Sequence, residues 1–452
     1  MPSLTASPKI DQFLQSRLTT QWPKLVDQLI DGALHTVEDA VHALCNRLHD
    51  QLMTHLLNTA APVINEQHRQ EYTNLDQRDQ RIVLRTGHQV KVEGCYRKRL
   101  PVAESAAERH LLAQHFGLIR NASPSLYGRL AQAAVISPSY DQAAALAQDF
   151  GINCSVSGVQ RLTNTVAASC RHTDEIKLLV NDDDHLAGKR VIISSDGGRS
   201  RLREYTGEVT EQGRACFDTP YREPKLFVIE VLNDEGRQSQ HHLPIYGCRF
   251  DKDEHVDLLR RCLKRLGIEQ AAEVQLICDG APWIWNALPA MLDQLGVSAD
   301  KLTLTLDYYH AMQHLHKLCE YLPRRIGKKH RARLLARSKN WLWEGKIRGV
   351  IRWFAKLYRR IPAKIITELN YFNRHGERMD YADYASRNLL CGSGLVESAI
   401  RRVINLRFKS SSTFWLKDNV ESMYFIRGAV LSKRWNSVVK NLAQRQKLVG
   451  QN

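Results

Sequence analysis

The sequence predicts an α/β core that is interrupted by an all-helical insertion. A mostly helical N-terminal region precedes it, with a small β-hairpin and a candidate helix-turn-helix. Three observations predict this arrangement. Short β-branched or leucine-rich runs end on acids at Asp196, Asp279 and Asp307, the pattern of buried strands that deliver a side chain to their carboxyl ends. Helix-spaced apolar residues separate the later runs. A strongly basic, helix-like stretch then intervenes before the last acidic motif.

The 452 residues suffice for about two to four domains and at least one large core, and 43% hydrophobic with 25% charged residues is ordinary globular composition. No apolar run is long enough to span a bilayer, and residues 1–10 lack a signal-peptide core. A cytosolic protein, bacterial or otherwise, without membrane contact is therefore expected. The ten Cys are scattered singly, which fits reduced thiols and argues against zinc ribbons and a disulfide framework. The net charge of +16 is concentrated: residues 324–364 carry fifteen Lys/Arg against one acid, Glu344. Such a block suggests a polyanion, DNA above all, although a solvated helical face would look the same.

In order, residues 1–70 read as helices, with Leu34, Val37, Val41, Leu44, Leu48 and Leu52 on one apolar face. That face suits either a dimer seam or packing within the chain, and a polar connector is expected over 58–80. Residues 71–120 should hold a hairpin about Gly87, then a helix over 103–115. Within 121–185, an Ala-rich helix at 141–149 ends near Gly151, and a second at 157–168 carries Val159, Leu162 and Val166 on one face. Two short helices around a Gly-containing turn fit a helix-turn-helix. Ser157, Gln160, Arg161 and Asn164 would then face a DNA groove, but many helix hairpins touch no DNA.

The core begins in 186–310. Val191-Ile192-Ile193-Ser194-Ser195 is a strand ending on Asp196, a second strand covers 225–232, and a third is expected over 238–246. A helix with Val256, Leu259, Leu263 and Leu266 on one face follows. A strand then ends on Asp279, a helix runs to 295, and a fifth strand at 302–306 ends on Asp307. This is the element order of an RNase H-like sheet, in which the first and fourth strands lie side by side and bring Asp196 to Asp279. Residues 311–390 read as a basic helical insertion with Trp341, Trp343 and Trp353 in a small core. In 391–452 a Gly-rich loop turns into a helix bearing Glu397, and a last helix is expected to end near Trp435.

Asp196, Asp279 and Glu397 are three carboxylates, the donors that hard cations prefer. Two Mg²⁺ (or Mn²⁺) ions about 3.5–4 Å apart would activate a nucleophile and stabilise both oxygens of an in-line displacement at a phosphodiester. Asp307 competes with Asp279 for the second position. The strand count favours Asp279, leaving Asp307 with His310 as an accessory Asp-x-x-His element in which His310 is either a functional group or a satisfied helix-start histidine. Arg324, Arg325, Lys328, Lys329 and Arg331 in the insertion, and Arg401, Arg402, Arg407 and Lys409 after the last acid, are candidate DNA contacts. There is no phosphate-binding Gly-rich loop of the P-loop type and no Gly-x-Ser-x-Gly elbow.

Six ordered motifs carry a resemblance. They are Ser195-Asp196-Gly197-Gly198-Arg199; Tyr221-Arg222-Glu223-Pro224-Lys225-Leu226; Asp279-Gly280-Ala281-Pro282-Trp283-Ile284-Trp285-Asn286; Leu306-Asp307-Tyr308-Tyr309-His310-Ala311; Tyr371-Phe372 with His375 and Arg378-Met379; and Gly392-Ser393-Gly394-Leu395-Val396-Glu397-Ser398. Over about 185–435 the chain resembles DDE transposases of bacterial insertion sequences, of the ISKra type and distantly Mutator-like. The resemblance implies an RNase H-like catalytic domain, an Asp196–Asp279–Glu397 triad, and metal-dependent cleavage and transfer of DNA at element ends. Partners would be element ends and target DNA, with a homodimer the most plausible assembly and a nucleoid-associated place in the bacterial cytoplasm. Two features depart from the family: only Cys95 stands where a Cys pair often flanks the hairpin, and Phe414-Trp415-Leu416 replaces the usual Arg-Trp-Ser. A catalytically silent, sequence-specific DNA-binding protein and a structure-specific nuclease without joining activity are the alternatives.

Overall fold

The computed structural model describes residues 8–69, 76–98, 109–323, 325–409 and 413–448. The chain divides into two units, Met1–Ser169 with Val439–Asn452, and Cys170–Val438.

The first unit opens with α1 (Pro8–Ile30) and α2 (Leu34–Gln67), followed by β1 (Asp76–Val83), β2 (Gln89–Lys98) and β3 (Arg109–His110) in one antiparallel sheet. α2 does not stop at Asn58, where a connector was expected. It continues through Pro62 because Leu57, Ala61 and Ile64 bury themselves on Ile82, Val90, Val92 and Cys95 of the hairpin, and packing outweighs the propensity cost. The apolar face read from the sequence is only partly used: Val37 is buried, whereas Leu34 and Val41 are exposed. The helix expected over 103–115 is seen as α3 (Leu111–His115), and residues 103–108 lie outside the described set. α4 (Pro124–Ile136), α5 (Tyr140–Asp149) and α6 (Val156–His172) complete the fold of this region, α5 capped by the Ser139 hydroxyl and α6 burying Val159, Leu162 and Val166.

The second unit begins with α7 (Glu175–Leu179) and β4 (Arg190–Gly197). Short strands follow: β5 (Ser200–Arg201) pairs with β8 (Tyr221–Arg222), and β6 (Glu204–Val209) with β7 (Ala215–Asp218). The β6–β7 hairpin is exposed along almost its whole length. It therefore lacks the period-two apolar pattern by which a strand is recognised. Then come β9 (Lys225–Leu232), β10 (Ile245–Arg249), α8 (Lys252–Leu266), β11 (Glu273–Cys278), α9 (Pro282–Gln294) and β12 (Leu302–Leu306). β10 starts later than expected: Gln238 makes only an isolated antiparallel bridge to Leu232, and the chain loops out before the ladder with β9 forms at Ile245.

Five strands make one mixed sheet in the order β10-β9-β4-β11-β12. β9 runs antiparallel to both β4 and β10, while β4, β11 and β12 are parallel. The two central parallel strands are covered on both faces and read as near-continuous apolar runs: Val274, Leu276, Ile277 and Cys278 are fully buried, as is Ile193. Alternation along β4 puts Ile192, Ser194 and Asp196 on one face and Ile193 and Ser195 on the other. Ser195 Oγ meets His255 Nε2 of α8 at 2.8 Å on its face. On the opposite face Ile192 packs with Leu232, Ile277, Leu390 and Leu395.

The basic segment is helical, as expected: α10 (Tyr308–Glu320), α11 (Lys328–Trp343), α12 (Ile347–Lys356), α13 (Ala363–His375) and α14 (Tyr381–Ser386). Trp341 and Trp353 meet edge to face at 5.9 Å, with the Arg337 guanidinium over both rings. α15 (Gly394–Ala399) continues through a π-helical turn, Ile400–Asn405, into α16 (Leu406–Phe408). Two helices then replace the single one expected, α17 (Lys417–Leu431) and α18 (Trp435–Leu448). Among the described residues no helix is long and apolar enough to cross a membrane.

The β4–β11 ladder ends at Ile193↔Leu276, beyond which the buried Ser194 hydroxyl bridges the strands by donating to the Ile277 carbonyl at 2.5 Å. Ser194→Ala leaves that carbonyl without the bond and should cost about 1–3 kcal/mol in urea unfolding, with the secondary structure retained.

Candidate active site

The register of β4 on β11 positions the site. Glu273 pairs with Arg190 and Leu276 with Ile193. The same offset carried to the strand ends brings Asp279 level with Asp196. Both acids lie where the ladder opens, and Ser195 N–H there points at Cys278 Sγ, 3.3 Å away. Asp196 Oδ1 accepts the Gly197 N–H at 2.6 Å. Asp279 Oδ1 accepts the Ala281 N–H at 2.9 Å, and the Asp279 carbonyl accepts Trp285 Nε1–H at 2.6 Å.

Electrostatics record the approach. The Asp196 carboxyl is pushed up to about 6, first by burial and then by the charge of Asp279, with Glu223 adding to the effect. The Gly197 N–H and the His310 imidazole act in the opposite direction. Four ionisable groups from separate parts of the chain thus act at one place. Glu223 has no role in the reading of the sequence beyond its motif. Its carboxylate occupies the space next to Gly197, where a Cβ would fall 2.5 Å from Glu223 Oε1. The available signal was the pairing of a Gly after a strand-end acid with an acid just before the neighbouring strand.

Asp307 is built differently from Asp279. It is fully buried, and both carboxylate oxygens accept backbone N–H groups: Oδ1 from His310 at 2.7 Å, as the N-cap of α10, and Oδ2 from Ser393. It therefore ties the start of α10 to the loop that leads into α15. His310 is half-buried on the first turn of α10, close enough for its charge to act on Asp196.

Glu397 lies on α15, which packs against β4 and β9. Leu395 packs against the cluster of Ile192, Leu232 and Ile277, so α15 covers the face of the sheet that carries Asp196. The Glu397 side chain is exposed, makes no hydrogen bond or ion pair, and is not among the groups whose charge acts on Asp196. Among the described residues no group of three or more His, Cys, Asp or Glu is placed to hold a metal ion. What is assembled is the Asp196–Asp279 pair. Two hard oxygen donors held together against their own repulsion fit a divalent cation, which would relieve that repulsion, in chemistry though not as a complete cage.

The candidate DNA contacts divide. Ser157, Gln160 and Arg161 are exposed on α6, whereas Asn164 is half-buried and accepts the Tyr140 hydroxyl at 3.4 Å. Arg325, Lys328, Lys329, Arg401 and Lys409 are exposed. Arg331 instead donates to the carbonyls of Ile326, Leu322 and Pro323 at 2.8–3.0 Å, closing the turn between α10 and α11. Arg402 is half-buried against the Tyr246 hydroxyl at 3.1 Å, and Arg407 is 3% exposed, its guanidinium 4.9 Å from the Trp415 ring centre. Arg324 lies outside the described residues.

No family model and no curated protein matches the chain. Among solved structures, a Drosophila P element transposase strand transfer complex is similar at 13% identity, covering 72% of this chain and 84% of that one, with a TM-score of 0.25. A score that low does not establish a shared fold, and nothing about this site follows from it.

The Asp196 carboxyl titrates higher in the folded chain (about 6) than in an unfolded one, about 3.9. The folded state keeps a proton that the unfolded state has shed, so stability falls as pH rises through that window and the full deficit is present above it. Asp196→Asn should therefore stabilise the protein at pH 7.5 by about 1–3 kcal/mol and give no gain at about pH 3, below both values, read as paired thermal melts.

Proposed function

We propose that the protein is a DDE-type DNA transposase of the insertion-sequence class resembling the ISKra type, cutting DNA at element ends and joining it to a target. The observation that carries this reading is the side-by-side placement of Asp196 and Asp279 at the carboxyl ends of adjacent parallel strands. The sheet order β10-β9-β4-β11-β12, with its single antiparallel strand β9 between β10 and β4, supports an RNase H-like catalytic domain. Asp196 and Asp279 would hold Mg²⁺ or Mn²⁺, and Glu397 would join them by a movement of α15 or of its own side chain. Bound there, two such ions supply an activated nucleophile and neutralise charge on the scissile phosphate.

The remaining roles belong to the chain. Asp196 must shed its proton to act as a ligand, so activity would rise with pH through about 6. Asp307 holds the loop from which α15 springs, and His310 would face the labile strand. The exposed Arg325, Lys328, Lys329, Arg401 and Lys409, with Gln160 and Arg161 of α6, would hold phosphates or bases. Joining two element ends calls for two copies of the site, hence a homodimer.

In a strand-transfer assay with Mg²⁺ and element-end DNA, the wild type should give cleaved and joined products. Asp279→Asn should give none while binding DNA with unchanged affinity. Products from the triple variant lacking Asp196, Asp279 and Glu397 would remove the proposal. Replacing Arg325, Lys328 and Lys329 by Gln should lower the slope of log affinity against log salt by about 3, if each meets one phosphate.

The exposed, unpaired Glu397 favours one second reading, a sequence-specific DNA-binding protein that no longer cleaves. It would show the same salt slope and no products under any divalent ion. A structure-specific nuclease would cut branched DNA without joining it.

A further inference from the structure

The segment around Tyr371 enters the sequence as a motif without a role, yet it returns to the turn that carries Asp279. Gly280 has no positive φ, so a left-handed turn does not explain it. What excludes a side chain is Tyr371: a Cβ at Gly280 would lie 2.5 Å from Tyr371 Cε2 and 3.0 Å from its hydroxyl oxygen. Further contacts from the same segment reach the same turn. The Arg378 guanidinium sits 4.2 Å over the ring of Trp285, whose Nε1–H holds the Asp279 carbonyl. Arg378 Nη1 also donates to His375 Nδ1 at 3.1 Å, and the His375 ring lies 6.1 Å from that of Trp285.

The Tyr371 ring is fixed from behind. It stacks on the His314 ring with centres 3.6 Å apart, and His314 Nδ1 is 2.5 Å from Glu368 Oε2. The Tyr371 hydroxyl itself is buried and has no hydrogen-bond partner. A buried unpaired hydroxyl is costly and calls for an explanation. The hydroxyl oxygen lies at the Gly280 turn, one residue from the Asp279 carboxylate. Of the two Asp279 carboxylate oxygens, only Oδ1 is engaged, by Ala281 N–H.

Resting on the proposed metal-dependent reaction, we propose that Tyr371 is a positioning residue for Asp279. Its hydroxyl donates to the free carboxylate oxygen when that carboxylate carries a cation, and the Glu368–His314 pair holds the phenol in place. Ion affinity is thereby coupled to the docking of α13, and the insertion becomes part of the site. Partners one step removed from a metal typically change its affinity about 10- to 100-fold when removed.

The test uses the full chain and Mn²⁺ alone, titrated by calorimetry, with melting temperature and Mg²⁺-dependent strand transfer as parallel readouts. The expected result is Mn²⁺ binding by the wild type, none by Asp279→Asn, and about tenfold weaker binding by Tyr371→Phe at an unchanged melting temperature. In that variant the Mg²⁺ concentration for half-maximal strand transfer should rise by the same factor, with the rate at saturating Mg²⁺ largely kept. Wild-type affinity in Tyr371→Phe overturns the positioning role and leaves the proposed function standing. So does an affinity loss that comes with a lowered melting temperature, which assigns Tyr371 to packing alone. Absence of Mn²⁺ binding by the wild type overturns the metal-dependent reaction and this inference together.

Discussion

The parallel pairing of β4 with β11 is the constraint on which the rest of the second unit depends. It sets the ends of two distant segments side by side and with them two carboxylates that repel each other. Burial and like charge both oppose the ionisation of Asp196. The cost is borne by the strands behind it, where Ile193, Val274, Leu276, Ile277 and Cys278 are removed from water and hold the register that forces the acids together. The ladder itself gives way at that end, and the Ser194 hydroxyl takes over from a backbone donor. The polar end of the sheet is a local weakness kept in place by a strongly apolar middle, the usual balance at functional sites.

Two acids that look alike in the sequence end adjacent strands with opposite fates. Asp307 spends both oxygens on backbone N–H groups and is sealed from water. Asp279 spends one. The difference comes from what arrives over each strand end. The loop at Ser393 closes over Asp307, whereas an aromatic ring with an idle hydroxyl lies over Gly280. Asp307 is thus a fastener for the loop before Glu397, and Asp279 keeps an oxygen free for chemistry.

The basic insertion serves two purposes in different residues. Its exposed cations form a charged surface suited to phosphates. Tyr371, His375 and Arg378 face inward and brace the Asp279 turn. Arg331 resembles its neighbours in composition but is consumed by carbonyls at the end of α10. Trp341 and Trp353 of the insertion pack against each other and under Arg337, as a small helical core requires, whereas Trp343 is exposed and meets Tyr308 and Tyr381 instead.

Local pattern made much of this legible beforehand. The β-branched runs before Asp196 and Asp279, their count, and the helices between them all depend on residues close in sequence, and they led correctly to β4, β9, β11 and β12 and to the meeting of the first and fourth strands. Polar or exposed elements were not legible: the β6–β7 hairpin has no buried face to leave a period, and α2 passes Pro62 only because a hairpin waits to cover it. The sequence by itself determined which acids sit at strand ends and in what order. Tertiary structure alone decided that Asp307 is saturated, that Arg331 and Arg407 are withdrawn from the surface, that Glu223 and Tyr371 flank the paired carboxylates, and that Glu397 stands apart from them. Each of those outcomes turns on partners far away along the chain, and distance in space between such residues leaves no trace in the spacing of either one.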